Sequence, residues 1–207
     1  MAINLTKGQT INLEKSQYDL SSVTVGLGWD VKKTGGFLGG LFGGKGGDDY
    51  DLDAIAFLLD QNDKVQYLGD KLVGGDVIFF NNLVHSSRNI WLTGDNTTGD
   101  GDGDDEQIIV KLDALSPQYH KILFVVSIYQ GVQKSQHFGM LDNAFIRAVD
   151  ARGKEMLRFS LSGDATFNQK RSVVFAELYR REGGWKFRAL GNPHDTDDFV
   201  QILKSYV

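Results

Sequence analysis

Apolar positions recur along the chain either with a period of two or as short unbroken runs of β-branched and aromatic residues. They fall at Ser22–Trp29, Asp53–Asp60, Gln107–Leu112, Lys121–Tyr129 and Asn143–Asp150, and continue at Lys154–Leu161, Ser172–Arg180 and Trp185–Leu190. Short strands divided by Gly, Asn and Asp turns predict a mainly β chain folded as a two-sheet β-sandwich. Gly183-Gly184, Asn62-Asp63 and Arg152-Gly153 each lie between two such runs and predict hairpin turns. Only the C-terminus reads as a convincing helix. After Pro193, residues Phe199, Ile202, Leu203 and Tyr206 follow helical spacing, with Asp195 or Thr196 as the N-cap. Short helical turns are expected near Leu112–Gln118 and Ser135–Phe138.

One stretch echoes another. DAIAFLLDQNDKVQYL from Asp53 aligns with NAFIRAVDARGKEMLR from Asn143 at an offset of 90, which places Asp60 on Asp150 and Lys64 on Lys154. Each copy would be a β-hairpin, one per half of the chain. Ordinary hairpin chemistry produces such matches by chance as well, so the pattern supports two sheets without requiring duplication.

Composition narrows the picture. A chain of 207 residues can bury a proper core, and residues 1–207 are read as one domain. The 25 glycines are roughly twice the usual share of about 7%, which suits tight turns and bent strands. The absence of cysteine excludes disulfides, thiolate zinc sites, iron–sulfur clusters and thiol nucleophiles. The start carries no signal-peptide pattern, and the longest apolar run, Ile122 to Val126, is too short to span a bilayer. A cytoplasmic protein is expected, and the net charge of −5 argues against nucleic acid as a partner.

Residues 35–47, GGFLGGLFGGKGG, form a glycine-rich insert whose Phe37, Leu38, Leu41 and Phe42 are oily for a linker. Its glycines disfavour a helix. The oily residues either dock loosely on the domain or meet a protein or membrane surface. Gly39 to Gly46 nearly matches a phosphate-binding loop, but Gly46 stands where a hydroxyl must hold Mg²⁺, and GDDYD follows. Nucleotide hydrolysis is therefore set aside. The four histidines lie far apart without ligand spacing, no G-x-S-x-G elbow occurs, and Arg147, Arg158, Arg180, Arg181 and Arg188 read as solvated strand faces.

The stretch GDNTTGDGDGDDE, Gly94 to Glu106, is different. It gathers Asp95, Asp100, Asp102, Asp104, Asp105 and Glu106 among glycines that let carbonyls turn inward. Carboxylates and carbonyls are the hard donors that Ca²⁺ takes, and crowded like charges are costly without a cation. Asp95 to Glu106 has the length of an EF-hand loop, but Thr97, Gly99 and Asp100 break its register, and a β-roll repeat would come in tandem. Taken alone, a solvated acidic loop and a cation cage stay nearly even. A second cluster shifts the balance: Asp48, Asp49, Asp51 and Asp53 lead into one strand, and Asp30 closes another. Asp51 and Asp53 project to one side of a strand, and the two groups are expected to share one edge of the sandwich.

VGLGWD (25–30), DYDLDAIAFLL (49–59), FFNN (79–82) and GDNTTGDGDGDDEQI (94–108), with FGMLDNAFIRAVD (138–150) and ELYRREGGWKFRALG (177–191), resemble the TerD family of tellurite-resistance and stress proteins over nearly the whole chain. The resemblance implies a cytoplasmic calcium-binding β-sandwich. It carries over Asp95, Asn96, Asp104, Asp105 and Glu106 as ligands, together with Asp30, Asp51 and Asp53, and Asp102 joins them from the same loop. The glycine-rich insert is longer than is typical of the family.

These residues lead to a non-enzymatic Ca²⁺ module that orders a surface for proteins of a stress-response assembly. The alternative is a Mg²⁺- or Mn²⁺-dependent phosphoryl-transfer enzyme using the same carboxylates, which would also need a base or a cationic phosphate clamp. Direct binding of tellurite at this loop is disfavoured, because so negative a loop repels an oxyanion.

Overall fold

The structure, a computed structural model, describes residues 2–31, 50–93, 103–161 and 163–207. The strands among them are β1 (Ile3–Leu5), β2 (Thr10–Leu13), β3 (Val23–Val31), β4 (Leu52–Leu59), β5 (Gly69–Asp70), β6 (Val73–Gly74) and β7 (Val77–Ile78). They continue as β8 (Ile90–Leu92), β9 (Glu106–Val110), β10 (Lys121–Ile128), β11 (Leu141–Val149), β12 (Glu155–Ser160), β13 (Ser172–Arg181) and β14 (Gly184–His194). One six-stranded sheet runs β1-β12-β11-β3-β9-β8 and the other β2-β14-β13-β10-β4-β7, while β5 and β6 form a small ribbon. Pairing is antiparallel throughout except between β1 and β12. The expected two-sheet sandwich is what the chain forms.

The sheets bury their facing sides against each other, and the first sheet shows it as alternation. On β9, Glu106, Ile108 and Val110 point inward, while Gln107 and Ile109 are half-buried. The centre of the second sheet breaks the pattern, because all eight residues of β4 are buried. A second apolar cluster explains this. Ile55, Phe57, Leu59, Leu123 and Val125 face away from the first sheet and pack under Ile202 and Leu203 of the C-terminal helix. Phe57 lies 6.3 Å from the Phe199 ring and 6.0 Å from Tyr206. Strands covered on both faces need unbroken apolar runs, which is why DAIAFLL and KILFVVSI do not alternate.

Helix α1 (Phe199–Leu203) runs into one 3-10 turn, Lys204–Tyr206. Its cap is Asp198, whose carboxylate accepts from the Val200 N–H at 3.0 Å, and not Asp195 or Thr196. Strand β14 continues through Pro193 to His194, and Asp195 is held by Lys170 at 2.6 Å, so the helix starts later than expected. Residues 112–118 form isolated turns where short helical turns were expected, and the expected turn at 135–138 lies at Phe138–Met140.

The internal echo is a repeated turn, but only the second copy, β11–β12, is the expected hairpin; β4 pairs with β10 and β7, so Asn62-Asp63 is not a hairpin turn. Asp60 Oδ1 accepts from the N–H groups of Asn62 and Lys64 at 2.7 and 2.9 Å; Asp150 Oδ1 accepts from Arg152 and Lys154 at 3.0 and 2.9 Å. The residue at the third position after each Asp has positive φ, 61° at Asp63 and 77° at Gly153. The Glu182–Gly183 pair closes the β13–β14 hairpin with φ of 55° and 77°, one residue earlier than Gly183-Gly184.

Candidate metal centre

Three acidic segments meet at one end of the sandwich. Asp30 lies near the end of β3, Asp51 and Asp53 sit at the entry to β4, and Asp104, Asp105 and Glu106 lead into β9. β3 and β9 are hydrogen-bonded neighbours, with Leu27 opposite Glu106. Beyond that pair the ladder is continued by a side chain: Asp105 donates its N–H to Leu27 O at 2.8 Å, and its Oδ2 accepts from the Trp29 N–H at 2.9 Å. The second sheet is tied in twice. Trp29 Nε1 donates to Tyr50 O at 3.2 Å, and Glu106 Oε2 accepts from the Ala54 N–H. Ala54 offers that N–H because β7 pairs only with Ala56 and Phe57, which leaves the start of β4 open on that side. Buried at 2% exposure, Glu106 thus bridges the two sheets through the backbone of the residue that follows Asp53, itself at 8%.

Asp30 faces β11. Its Oδ2 accepts from Asn143 Nδ2 at 2.7 Å, and Asn143 has φ 52° in a bulge between Asp142 and Phe145. The Asp51 carbonyl accepts from Tyr129 N–H at 2.8 Å, which anchors the other lip of the site to the end of β10.

Asp104 takes a different position. Gly26 stands opposite Arg147 on one neighbouring strand and Gln107 on the other. Side chains opposite one another across a sheet share a face, and glycine leaves the middle of that row empty. The Asp104 carboxylate fills it: Oδ1 accepts from Arg147 Nε at 2.6 Å and Oδ2 from Gln107 Nε2 at 3.2 Å. A Cβ on Gly26 would overlap this carboxyl group, and one on Gly28 would come within 2.8 Å of Gly103 O. Hydrogen bonding to Asp104 raises the Arg147 pKa against the effect of its burial. Arg147 also binds Glu155 at 3.0 Å. Burial pushes the Glu155 carboxyl up, but its bonds to Arg158 and Arg147 outweigh this and hold it below its ordinary range.

The expected ligand set therefore divides. Asp30, Asp51, Asp53, Asp105 and Glu106 are brought to one end, whereas Asp104 turns onto the outer face of the first sheet with both oxygens engaged. Asp95, Asn96 and Asp102 lie outside the described residues, as do Phe37, Leu38, Leu41 and Phe42 of the glycine-rich insert. Among the described residues no three His, Asp or Glu side chains are grouped to hold a metal ion. The donors present are hard oxygens, the kind that calcium takes.

Arg147 was expected on a solvated face, and it is instead the counter-ion that fixes the acidic turn. Its sequence signal is indirect: an arginine whose strand sets it opposite the first glycine of the Gly26-x-Gly28 pair. No helix among the described residues is long and apolar enough to cross a membrane.

The TerD domain model matches residues 1–206. The chain is 58% identical to tellurium resistance protein TerX of Serratia marcescens, with both chains covered in full. It is 43% identical to stress response protein SCP2 of Bacillus subtilis, again over the whole of each. A solved homologue of telluride resistance protein (TerD) from Streptomyces coelicolor A3(2) shares the fold at TM-score 0.62 and 21% identity, covering 90% of this chain and 98% of that one.

Proposed function

The chain belongs to the TerD family, and from that premise we propose that it is a non-enzymatic calcium-binding module acting in tellurium resistance and stress response. The observation that carries this is the meeting of three acidic segments at one sandwich end, tied together by the Trp29–Asp105, Trp29–Tyr50 and Glu106–Ala54 bonds. Asp30, Asp51, Asp53, Asp105 and Glu106 supply oxygens from the scaffold, and Asp95, Asn96 and Asp102 supply them from the adjoining loop. Asp104 acts through Arg147 as the clamp that holds the loop against β3. Bound calcium supplies charge neutralisation. The rest is the work of the chain: β3, β4 and β9 fix the spacing of the carboxylates, and the loop they hold presents a surface to other proteins of a cytoplasmic stress-response assembly.

Calcium titration calorimetry on the wild type, Asp53→Asn and Asp105→Asn tests the reading. Both variants should lose the same binding event. Loss in only one separates the two clusters, and no calcium binding by the wild type ends the proposal. Tighter Mg²⁺ than Ca²⁺ binding, with turnover of a phosphate ester, would instead favour the phosphoryl-transfer enzyme.

A further inference from the structure

The opposite end of the sandwich carries a charge of the other sign that has no counter-ion among the described residues. In the register of β10, Ile128 pairs with Leu52 at the acidic end, and Lys121 pairs with Leu59 and Tyr179 at the far end. Arg180 follows Tyr179, so strand length separates it from the acidic segments by about 25 Å. The guanidinium is half-buried and lies over the Trp185 ring, 4.3 Å from its centroid. Nε donates to Tyr119 O at 2.9 Å and Nη2 to Leu115 O at 2.7 Å, with a longer contact to Ser116 O at 3.5 Å. Every one of these acceptors is neutral, and Nη1 makes no hydrogen bond among the described residues.

All but one of the neighbouring carboxylates are already matched with other cations. Asp113 pairs with Lys15 at 2.8 Å, Glu182 with Lys186 at 3.1 Å and Arg181 at 3.6 Å, and buried Glu177 with Arg188 and Lys121. Glu14 is exposed on the rim. Burial lowers the Arg180 pKa with nothing offsetting it, as expected of a charge removed from water without an opposite partner.

Arg180 borders a cavity of about 410 Å³, walled by Asn12, Lys15, Asp113, Arg181, Trp185 and Lys186. That volume falls in the range of small-molecule sites, about 300–1,000 Å³. We propose that this cavity binds a small molecule through an oxyanion group, a carboxylate or a phosphate, which pairs with the guanidinium of Arg180. A planar fork with two donors anchored on the loop carbonyls and a third edge open is pre-organised for such a group. Lys15, exposed on the rim, and the half-buried Lys186 are placed to exchange their carboxylate partners for the ligand. A long polyanion is not the occupant, since the chain as a whole is negative. The site stands apart from the proposed calcium centre and needs no metal.

Calorimetric titration of the full chain in EDTA, separately with inorganic phosphate and with malonate, tests this. Saturable binding of either anion is expected, and the tighter of the two names the group. Arg180→Gln should weaken it about tenfold or more, the effect of removing one charge-assisted bond. Because Arg180 also anchors the 115–119 loop, a second readout uses the wild type alone. Amide and indole NMR signals of Gly183, Gly184 and Trp185 should shift and saturate with the same midpoint. No saturable binding of either anion, shifts confined to other regions, or equal affinity in a folded Arg180→Gln variant would overturn the proposal.

Discussion

Gly26 and Asp104 occupy one space: the side chain that Gly26 lacks is replaced by the Asp104 carboxylate, seated between Arg147 and Gln107. Gly26→Ala should therefore expel the acidic turn from the sheet. We expect a loss of stability of about 1–3 kcal/mol, the usual cost of an overpacked site, together with weaker calcium binding. Thermal melting in EDTA isolates the first effect, and a calcium titration the second.

Arg147→Met leaves the Asp104 carboxylate, 1% exposed, without its cation. Breaking a pair of which one member is buried should cost about 3 kcal/mol. Adding Asp104→Asn to Arg147→Met should recover part of that loss, because the orphaned charge goes with it. Chemical denaturation of the two single variants and the double variant gives the coupling; simple additivity would show that the pair contributes nothing.

Calcium at about 100 times its dissociation constant should raise stability by about 2.7 kcal/mol if it binds only the folded chain. Melting curves with EDTA and with calcium should therefore separate, and curves that superimpose would sink the calcium reading. The Glu106→Gln chain should narrow the gap while keeping an acceptor for the Ala54 N–H.

A buried network predicts both limbs of the pH profile. Burial pushes the Asp76 carboxyl up, but bonds from His85, Tyr119 (2.7 Å) and the Tyr67 N–H (3.0 Å) outweigh this and hold it below 3.8. Its contribution is present above pH 3.8 and is lost as pH falls through the lowered value. Burial and the neighbouring Asp76 push Tyr119 up from 10 to about 12, so its contribution is complete below pH 10 and lost as pH rises towards 12. Tyr119→Phe should flatten stability between pH 10 and 12 while costing about 1 kcal/mol at neutral pH, as read from urea midpoints across pH.

Asp60 and Asp150 hold matching turns in unequal surroundings. Asp150 also accepts from Asp19 N–H at 3.1 Å and from Arg152, and its side chain is fully buried. Asp150→Ala should thus cost about 1 kcal/mol more than Asp60→Ala, by the same denaturation assay.

The long strands were legible because each carries enough residues for a pattern. β7, with only Val77 and Ile78, and the three-residue β1 and β8 carry no period that a reader can detect, and they are defined by what they pair with. The turn at Asp60 and its echo at Asp150 could be read because their hydrogen bonds are local. Arg147 and Arg180 were misjudged for the opposite reason: their partners, Asp104 and the 115–119 carbonyls, come from distant parts of the chain. The acidic end was anticipated through charge crowding, but the turning of Asp104 away from Glu106 depends on an absent side chain at Gly26, and register alone reveals it.

The first thirteen residues close both sheets on the same side. β1 pairs with Leu157–Phe159 and β2 with Trp185–Arg188, while Gly8 N–H and Lys7 Nζ between them reach Ala189 O and Gly191 O at 2.8 and 2.9 Å. Everything they bind lies about 150 residues or more further along the chain. At about 5–20 residues per second, β1 and β2 wait roughly eight seconds or more for these partners to be synthesised. The edges of both sheets are thus sealed by strands that must wait for β12 and β14 to be made.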